Sequence, residues 1–239
     1  MKAVILCGGK GTRLRPYTHS IPKPMLRLGR KPLLEYIVEY LKREGVTEIV
    51  MTVGHLKEQI MDYFKDGGAY GVKISYSVEE NELGTAGSVK NALKKFRQDD
   101  DFLVAMGDQL TSLSLKALMD YHKKHGAALT IALKQTGIPF QYGTAEINEK
   151  GEITGFKEKP IIQNLINVGI YALSPKAASY LPDKGDFALD VFPRMMREKQ
   201  KLCGFVFDDY WIDVGSLHDY EHVNQIFSLT DLVNRANGR

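Results

Sequence analysis

Cysteine is scarce in this chain: Cys7 and Cys203 are the only two among 239 residues, far apart and without a CxxC spacing. A disulfide framework and a cysteine-built zinc site are therefore not expected. Long apolar runs are missing too. The opening MKAVIL gives way almost at once to Gly8-Gly9, too short for a signal peptide. No later stretch reaches the ~18 apolar residues of a bilayer-crossing helix. The expected compartment is the cytoplasm, with no membrane partner. Charge of one sign is not in excess: the net charge is +3. That balance points neither to nucleic acid nor to an acidic membrane surface, so basic side chains must be weighed by position. The six histidines (His19, His55, His122, His125, His218, His222) are scattered, and only 122/125 and 218/222 have helical spacing. No further metal ligands accompany those pairs, so surface or structural roles are expected.

What is present suits one large α/β domain. The chain is long enough for a substantial core, and 44% hydrophobic with 26% charged residues is ordinary for a globular protein. AVIL (3–6), EIVMTV (48–53), VKISYSV (72–78) and DFLVAM (101–106) are short, branched and apolar, as strands covered on both faces should be. Between them, 32–45 places Leu33, Leu34, Ile37, Val38 and Leu41 on one helical face, and 56–64 and 86–96 also read as helices. This alternation predicts a doubly wound, mainly parallel sheet. After residue 126 strands dominate: 128–135, a hairpin over 143–156 turning at Glu149-Lys150-Gly151, then 166–173 and 202–207, with a terminal helix over 216–228. In such sheets ligands bind beyond the carboxyl ends of the strands, where strand order reverses.

The first strand runs into CGGKGTRLRP (7–16), and PKPM (22–25) follows. Gly8, Gly9 and Gly11 permit positive φ and close approach of a ligand to the backbone, and successive N–H groups in such a turn make a concave anion site. The P-loop pattern GxxxxGK[ST] is absent, and Leu14 occupies the third glycine position of GxGxxG. By itself the segment is also compatible with a glycine turn bearing solvated cations.

CGGKGTRLRP and PKPM together resemble the two-part signature of the sugar-1-phosphate nucleotidylyltransferases, GGxGTRLxP followed by PKP(M/L). The resemblance extends to about residue 227 and implies a Rossmann-like nucleotidyltransferase fold. It implies that Cys7, Gly8, Gly9, Gly11, Thr12 and Arg13 surround the nucleotide, that Arg13 neutralises the triphosphate, and that Lys23 reaches the reacting phosphates. Lys10 and Arg15 are left open between phosphate contact and solvated charge. Cys7 stands where a small residue such as Ala is commoner; a thiol sensitive to alkylation and a small buried side chain are the two readings. ELGTAGSV (82–89) is similar to the family's base-binding segment, implicating Gly84 and Thr85.

Further motifs agree. Met-Gly-Asp-Gln (106–109) resembles the family's GD motif, with Met106 in place of the usual Asn and Asp108 as an implied Mg2+ ligand. A lone Asp there could instead cap a helix, unless Ser112 or Ser114 does so. YWIDVG (210–215) resembles WxDxG and implies Asp213 as the second ligand, beside Trp211 and Ile212 as core residues. Tyr142-Gly143, FKEKP (156–160) and INVGIY (166–171) match the YG, FxEKP and NAGIY segments, with Val168 replacing Ala. They imply that Tyr142, Gly143, Glu158, Lys159 and Asn167 hold the sugar phosphate, with Lys159 joining Arg13 and Lys23 in catalysis.

The implied reaction joins a nucleoside triphosphate and a sugar 1-phosphate, releasing pyrophosphate. A phosphate nucleophile is mostly ionised already, its second pKa being about 6, so no general base is needed, and no Ser-His-Asp set is recognisable. The needs are cations, backbone N–H groups and Mg2+.

Glu79 lies five residues before Gly84, where thymidylyl and uridylyl relatives typically carry Gln. A carboxylate only accepts hydrogen bonds. It can take guanine's adjacent N1–H and amino donors together, whereas uracil and thymine offer one N–H between two carbonyls. Glu80 and Glu82 are alternative contacts. The branch most resembled is therefore the mannose-1-phosphate guanylyltransferases. Uridylyl or thymidylyl transfer to glucose 1-phosphate, and a non-catalytic nucleotide-sugar sensor, are the alternatives. A glycosyltransferase is disfavoured by Asp108-Gln109-Leu110 in place of Asp-x-Asp.

The expected layout is one catalytic domain over 1–228 with sugar-binding β elements in 126–210, and a short polar tail over 229–239 with no β-helical domain after it. Homo-oligomerisation is left open.

Overall fold

The run EIVMTV is buried at every position but its first, a strand covered on both faces. It sits inside a seven-stranded sheet in the computed structural model, which describes residues 1–95 and 99–236. The strands are β1 (Lys2–Leu6), β2 (Glu48–Val53), β3 (Lys73–Val78), β4 (Phe102–Met106), β5 (Leu129–Pro139), β6 (Ile161–Leu173) and β7 (Leu202–Phe207). Their spatial order is β7-β5-β6-β4-β1-β2-β3. Strands β3, β2, β1 and β4 are parallel neighbours, β7 is parallel to β5, and β6 alone runs against both β4 and β5. The expected mixed, mainly parallel sheet is what forms.

The helices are α1 (Leu33–Arg43), α2 (Lys57–Phe64), α3 (Gly84–Ala92), α4 (Leu115–His125), α5 (Pro175–Ala178), α6 (Phe192–Arg197) and α7 (Leu217–Ala236). Alternation along β1 divides them between two cores. Ala3 and Ile5 pack with Leu34, Ile37 and Leu41 of α1 and Leu118 of α4. Val4 faces the other side, with Ala86 and Val89 of α3 and Phe192 and Met195 of α6. The sheet is doubly wound.

Several boundaries differ from the sequence reading. Helix α3 starts two residues early, at Gly84, and is followed by a 3-10 turn over Leu93–Lys95; residue 96 lies outside the described residues. Helix α4 was not anticipated because its buried stripe of Leu115, Leu118 and Met119 is completed by a histidine, His122, which hides the apolar period. Helix α7 passes through the segment read as a polar tail and reaches Ala236, with neither Pro nor Gly to stop it before Gly238; residues 237–239 lie outside the described residues. Among the described residues no helix is long and apolar enough to cross a membrane.

The order of strands reverses between β1 and β4, whose carboxyl ends therefore open onto a crevice. A short antiparallel ribbon, Gln109–Thr111 with Trp211–Asp213, brings the far end of the chain to that crevice.

Candidate active site

The chain leaves β1 through the glycine run and closes a 3-10 turn over Thr12–Leu14. Gly11 holds that turn at φ 57°, its carbonyl accepting from Leu14 N at 2.9 Å and Thr18 Oγ1 at 2.8 Å. A Cβ there would lie 3.0 Å from Thr18 Cγ2 and 3.2 Å from Lys23 Cβ, so both conformation and space favour glycine. Gly8, Gly9 and Gly11 join Arg13, Lys23 and Asp108 around a cavity of 170 Å3. One wall is backbone and the other is charged.

Lys23 lies in a 3-10 turn over Lys23–Met25 whose Pro24 is buried, which fixes the direction of the lysine stem. Its largely buried ammonium donates to the Asp108 carboxylate. Asp108 follows Gly107, whose N–H donates to Leu6 O at 2.9 Å and ties the ends of β1 and β4 together. Asp213 arrives opposite Gln109 in the ribbon, and the next N–H, from Val214, donates to Asp108 O at 3.1 Å. Burial raises the Asp213 carboxyl above the usual range, the neighbouring Asp108 charge raises it further, and Lys23 and Arg13 oppose both. Two carboxylates close enough to feel each other are thus partly compensated by two cations. Ser114 caps α4 by accepting from Ala117 N at 3.2 Å, so Asp108 is not spent as a cap. Among the described residues no group of three or more His, Cys, Asp or Glu is placed to hold a metal ion. Trp211 and Ile212 are half-buried and pack against the larger core.

A second cavity of 230 Å3 shares Gly8 and Gly9 and adds Glu79, Gly84, Thr85 and Asp186. Glu79 is fixed by its N–H donating to Val53 O at 2.8 Å. Its Oε1 is buried and has no hydrogen-bond partner. Burial raises the Glu79 carboxyl, with a hydrogen bond from Ser88 acting against it. Gly84 has φ 72°, and a Cβ on it would sit 2.5 Å from Gly185 O. That same carbonyl accepts from Ala86 N at 2.9 Å and Gly87 N at 3.2 Å. Asp186 completes the clamp by accepting from Thr85 N at 2.9 Å and Thr85 Oγ1 at 3.0 Å.

Asp186 and Gly185 are contacts that sequence reasoning missed. Their only signal was an Asp before the apolar run FALDVF, which reads as an ordinary cap. The clamp also engages Thr85. It lines the cavity, but its hydroxyl donates to Asp186 and accepts from Phe187 N at 3.0 Å. Cys7 follows the second of its two readings. Its N–H is shared between Thr52 O at 3.2 Å and Thr52 Oγ1 at 3.3 Å, and its thiol is buried and pushed up by burial and by Asp108. It is the small buried side chain, not a reactive thiol. Thr12 is exposed at the start of its turn and lines neither cavity. Lys10 forms an exposed ion pair with Glu82 at 3.5 Å, and Glu80 is exposed.

The remaining expected residues lie on an arm built from the outer halves of β5 and β6 and the hairpin of Thr144–Ile147 with Ile153–Lys157. Tyr142 is 74% exposed at its tip. Gly143 lies under Phe156 and Glu158. Lys159 takes φ 43°, a left-handed conformation uncommon for a non-glycine residue, as the chain enters β6. Asn167 sits at a register shift, where its Oδ1 accepts from Gly169 N at 2.9 Å and its Nδ2 donates to Tyr171 OH at 3.1 Å. These five residues line neither cavity.

The family model for nucleotidyl transferases matches residues 2–228. The chain belongs to the nucleotidyl transferase family. Among relatives of this nucleotidyl transferase, the UTP–glucose-1-phosphate uridylyltransferase of Synechocystis is 37% identical over 92% of this chain and 61% of its own length. The chain thus spans less than two thirds of that relative. The D-glycero-alpha-D-manno-heptose 1-phosphate guanylyltransferase of Campylobacter jejuni is 39% identical over 93% of this chain and 98% of its own. A crystal structure of HddC from Yersinia pseudotuberculosis complexed with GMP-PN superposes with a TM-score of 0.75 at 30% identity, covering 95% of this chain and 99% of that one.

Proposed function

We propose that this nucleotidyl transferase moves a nucleotidyl group from a nucleoside triphosphate to a sugar 1-phosphate, releasing pyrophosphate. The observation that carries this reading is the convergence of the glycine cradle with Arg13, Lys23, Asp108 and Asp213 at the switch point of the sheet. An oxygen of the sugar phosphate attacks the α-phosphorus while the bond to the bridging oxygen of the departing pyrophosphate breaks. That nucleophile is already anionic near neutral pH, its second pKa being about 6. The obstacle is repulsion between polyanions, and it is met by positioned cations and N–H groups. Arg13 and Lys23 offset phosphate charge beside the cradle, and Lys159, with Tyr142, Gly143, Glu158 and Asn167, orients the sugar phosphate.

Asp108 and Asp213 would hold Mg2+. Hard oxygen donors suit that ion, and the raised Asp213 carboxyl marks two like charges that a divalent cation would reconcile. When bound, Mg2+ supplies charge neutralisation on the phosphates. Until then Lys23 supports the Asp108 charge.

We further propose GTP as the nucleotide and a manno-configured sugar 1-phosphate, mannose 1-phosphate in the first instance, as acceptor. The buried, partnerless Oε1 of Glu79 supports the base assignment, because a buried carboxylate oxygen that lacks a donor matches an N–H group of guanine. The Campylobacter relative, matched along almost its whole length, is named for a guanylyl transfer to a manno sugar. The Synechocystis relative favours a second reading, uridylyl transfer to glucose 1-phosphate. A panel of GTP, ATP, UTP and dTTP against mannose, manno-heptose and glucose 1-phosphates, followed by pyrophosphate release, separates them. GTP with a manno sugar is expected; preference for UTP or dTTP contradicts the base assignment, and no turnover with any pair contradicts the enzyme.

A further inference from the structure

The end of the sheet remote from the crevice carries a cavity of its own. Asp101 precedes β4, Ala128 precedes β5, Lys201 precedes β7 and Ser174 follows β6, so four strand ends meet there. Backbone bonds tie them together. Ala128 N donates to Lys201 O at 2.9 Å, and Ser174 N and Oγ both donate to Ala128 O, at 3.0 and 3.1 Å. The last turn of α4 closes the remaining side, with Ala127 N donating to His122 O at 3.2 Å. The space enclosed is 410 Å3, within the ~300–1,000 Å3 of small-molecule sites.

Lys123, Lys176 and Lys201 line it, against the single carboxylate of Asp101. All three lysines are exposed, and none is ion-paired with a described residue. Solvated lysines alone would define nothing; His122 does. Its side chain is 1% exposed, it lines the cavity, and its Nε2 has no hydrogen-bond partner. Thr130 Oγ1 occupies the other ring nitrogen, Nδ1, at 2.8 Å. A buried polar nitrogen left unpaired is costly, so it marks a place for a partner. Asp101 Oδ1 lies 3.9 Å from Nε2, too far for a direct bond. One oxygen about 2.8 Å from each atom closes that gap. With Thr130 donating to Nδ1, the Nε2–H donates to that oxygen, and a hydroxyl there passes its own hydrogen bond on to Asp101.

We propose that this cavity binds a phosphate monoester that carries free hydroxyl groups. The phosphate is close to a dianion at neutral pH, its second pKa being about 6. Three lysines less one carboxylate leave two positive charges to receive it. A hydroxyl of the same molecule bridges His122 Nε2 and Asp101. Asp101 is what makes the hydroxyl necessary: a dianionic phosphate alone would set its oxygens against that carboxylate with no proton to share. The site is separate from the crevice, since β4 runs between them, with Asp101 before its first residue and Asp108 beyond its last.

Long-range 1H–15N NMR of the imidazoles reads the site directly, with His122 assigned by the signal lost in His122→Gln. Titration of the full chain with glycerol 3-phosphate should shift the His122 Nε2 resonance saturably. Inorganic phosphate should bind roughly fivefold or more weakly, for want of the hydroxyl bridge, and glycerol should leave the resonance unmoved. The double variant Lys176→Ala/Lys201→Ala, at exposed positions, should raise the dissociation constant for glycerol 3-phosphate roughly tenfold. Added salt should weaken binding to the native protein. Arg13→Ala, at the crevice, should leave the His122 titration as it is, which keeps the result independent of the catalytic reading. An unmoved His122 resonance overturns the proposal. So does equal affinity for inorganic phosphate, or a response that the lysine variant leaves intact.

Discussion

The ammonium of Lys23 donates to the carboxylate of Asp108, so a cation from the second motif already rests on the carboxylate that ends β4. Both groups also line the cavity bounded by the glycine cradle. On the proposed function, Lys23 would exchange Asp108 for phosphate oxygens once a triphosphate enters.

Removing either carboxylate should cripple turnover. Asp108→Ala or Asp213→Ala is expected to lower kcat on the order of 10²–10³-fold at unchanged fold, by analogy with other charge-stabilising groups. Chelation of divalent cations from the native enzyme should abolish activity, with recovery on adding Mg2+. Circular dichroism beside steady-state rates makes the check. Near-normal turnover in either variant would remove that residue from the assignment.

Arg13→Ala and Lys23→Ala should act on kcat more than on KM, since both are placed to offset charge that redistributes as pyrophosphate departs. A loss on the order of 10³-fold is expected for Arg13→Ala. A rise in KM alone would mean uniform binding of the substrate.

Glu79→Gln replaces an acceptor-only group by one that also donates. The loss of a charge-assisted hydrogen bond, about 1.5–3 kcal/mol, should cut kcat/KM for GTP about 10- to 100-fold. Relative use of UTP or dTTP should rise. Unchanged discrimination would transfer the role to another group.

Gly84→Ala introduces a Cβ at φ 72° and 2.5 Å from Gly185 O, a backbone atom held by two N–H donors, those of Ala86 and Gly87. The left-handed conformation alone costs roughly 1–2 kcal/mol for a side chain. A fall in Tm of about 4 °C or more is expected by calorimetry, given about 2–4 °C per kcal/mol in a chain of this size.

His122 makes a pH prediction remote from the site. It is buried, its Nδ1 meeting Thr130 Oγ1 at 2.8 Å and its Nε2 lying 3.9 Å from Asp101 Oδ1 without a hydrogen bond. Burial lowers its pKa below 6.5, Lys123 adds to that, and Asp101 opposes it. The unfolded chain then binds a proton near pH 6.5 that the folded chain refuses, so stability is full above 6.5 and falls as pH drops toward the folded value. The limiting slope from one such group is about 1.4 kcal/mol per pH unit. Urea unfolding of the native protein and His122→Gln between pH 7.5 and 5 should show a flatter profile in the variant.

The sheet was legible in the sequence because its inner strands, such as EIVMTV, are buried on both faces; the edge strand LCGFVF, in which only Phe207 is buried, was legible from its apolar run alone. The cradle was legible for a different reason: three glycines at 8, 9 and 11, directly after a strand, admit the positive φ and close backbone approach that an anion-binding turn needs. Convergence escaped local pattern and was implied only by the family resemblance. Nothing local in YWIDVG says that Asp213 will lie beside Asp108; an antiparallel ribbon of three residues a side decides it. The Asp186–Thr85 clamp escaped likewise, since its hydrogen bonds join residues about a hundred positions apart. The arm's exposure was hidden because alternating apolar residues predict a covered face, and alternation alone does not say what covers it.

The most direct measurement is 31P NMR of the native enzyme with GTP, mannose 1-phosphate and Mg2+. Paired growth of GDP-mannose diphosphate resonances and of pyrophosphate, one for one, is the predicted result. Consumption of GTP to GDP and inorganic phosphate, or no change with any sugar 1-phosphate, would contradict the account.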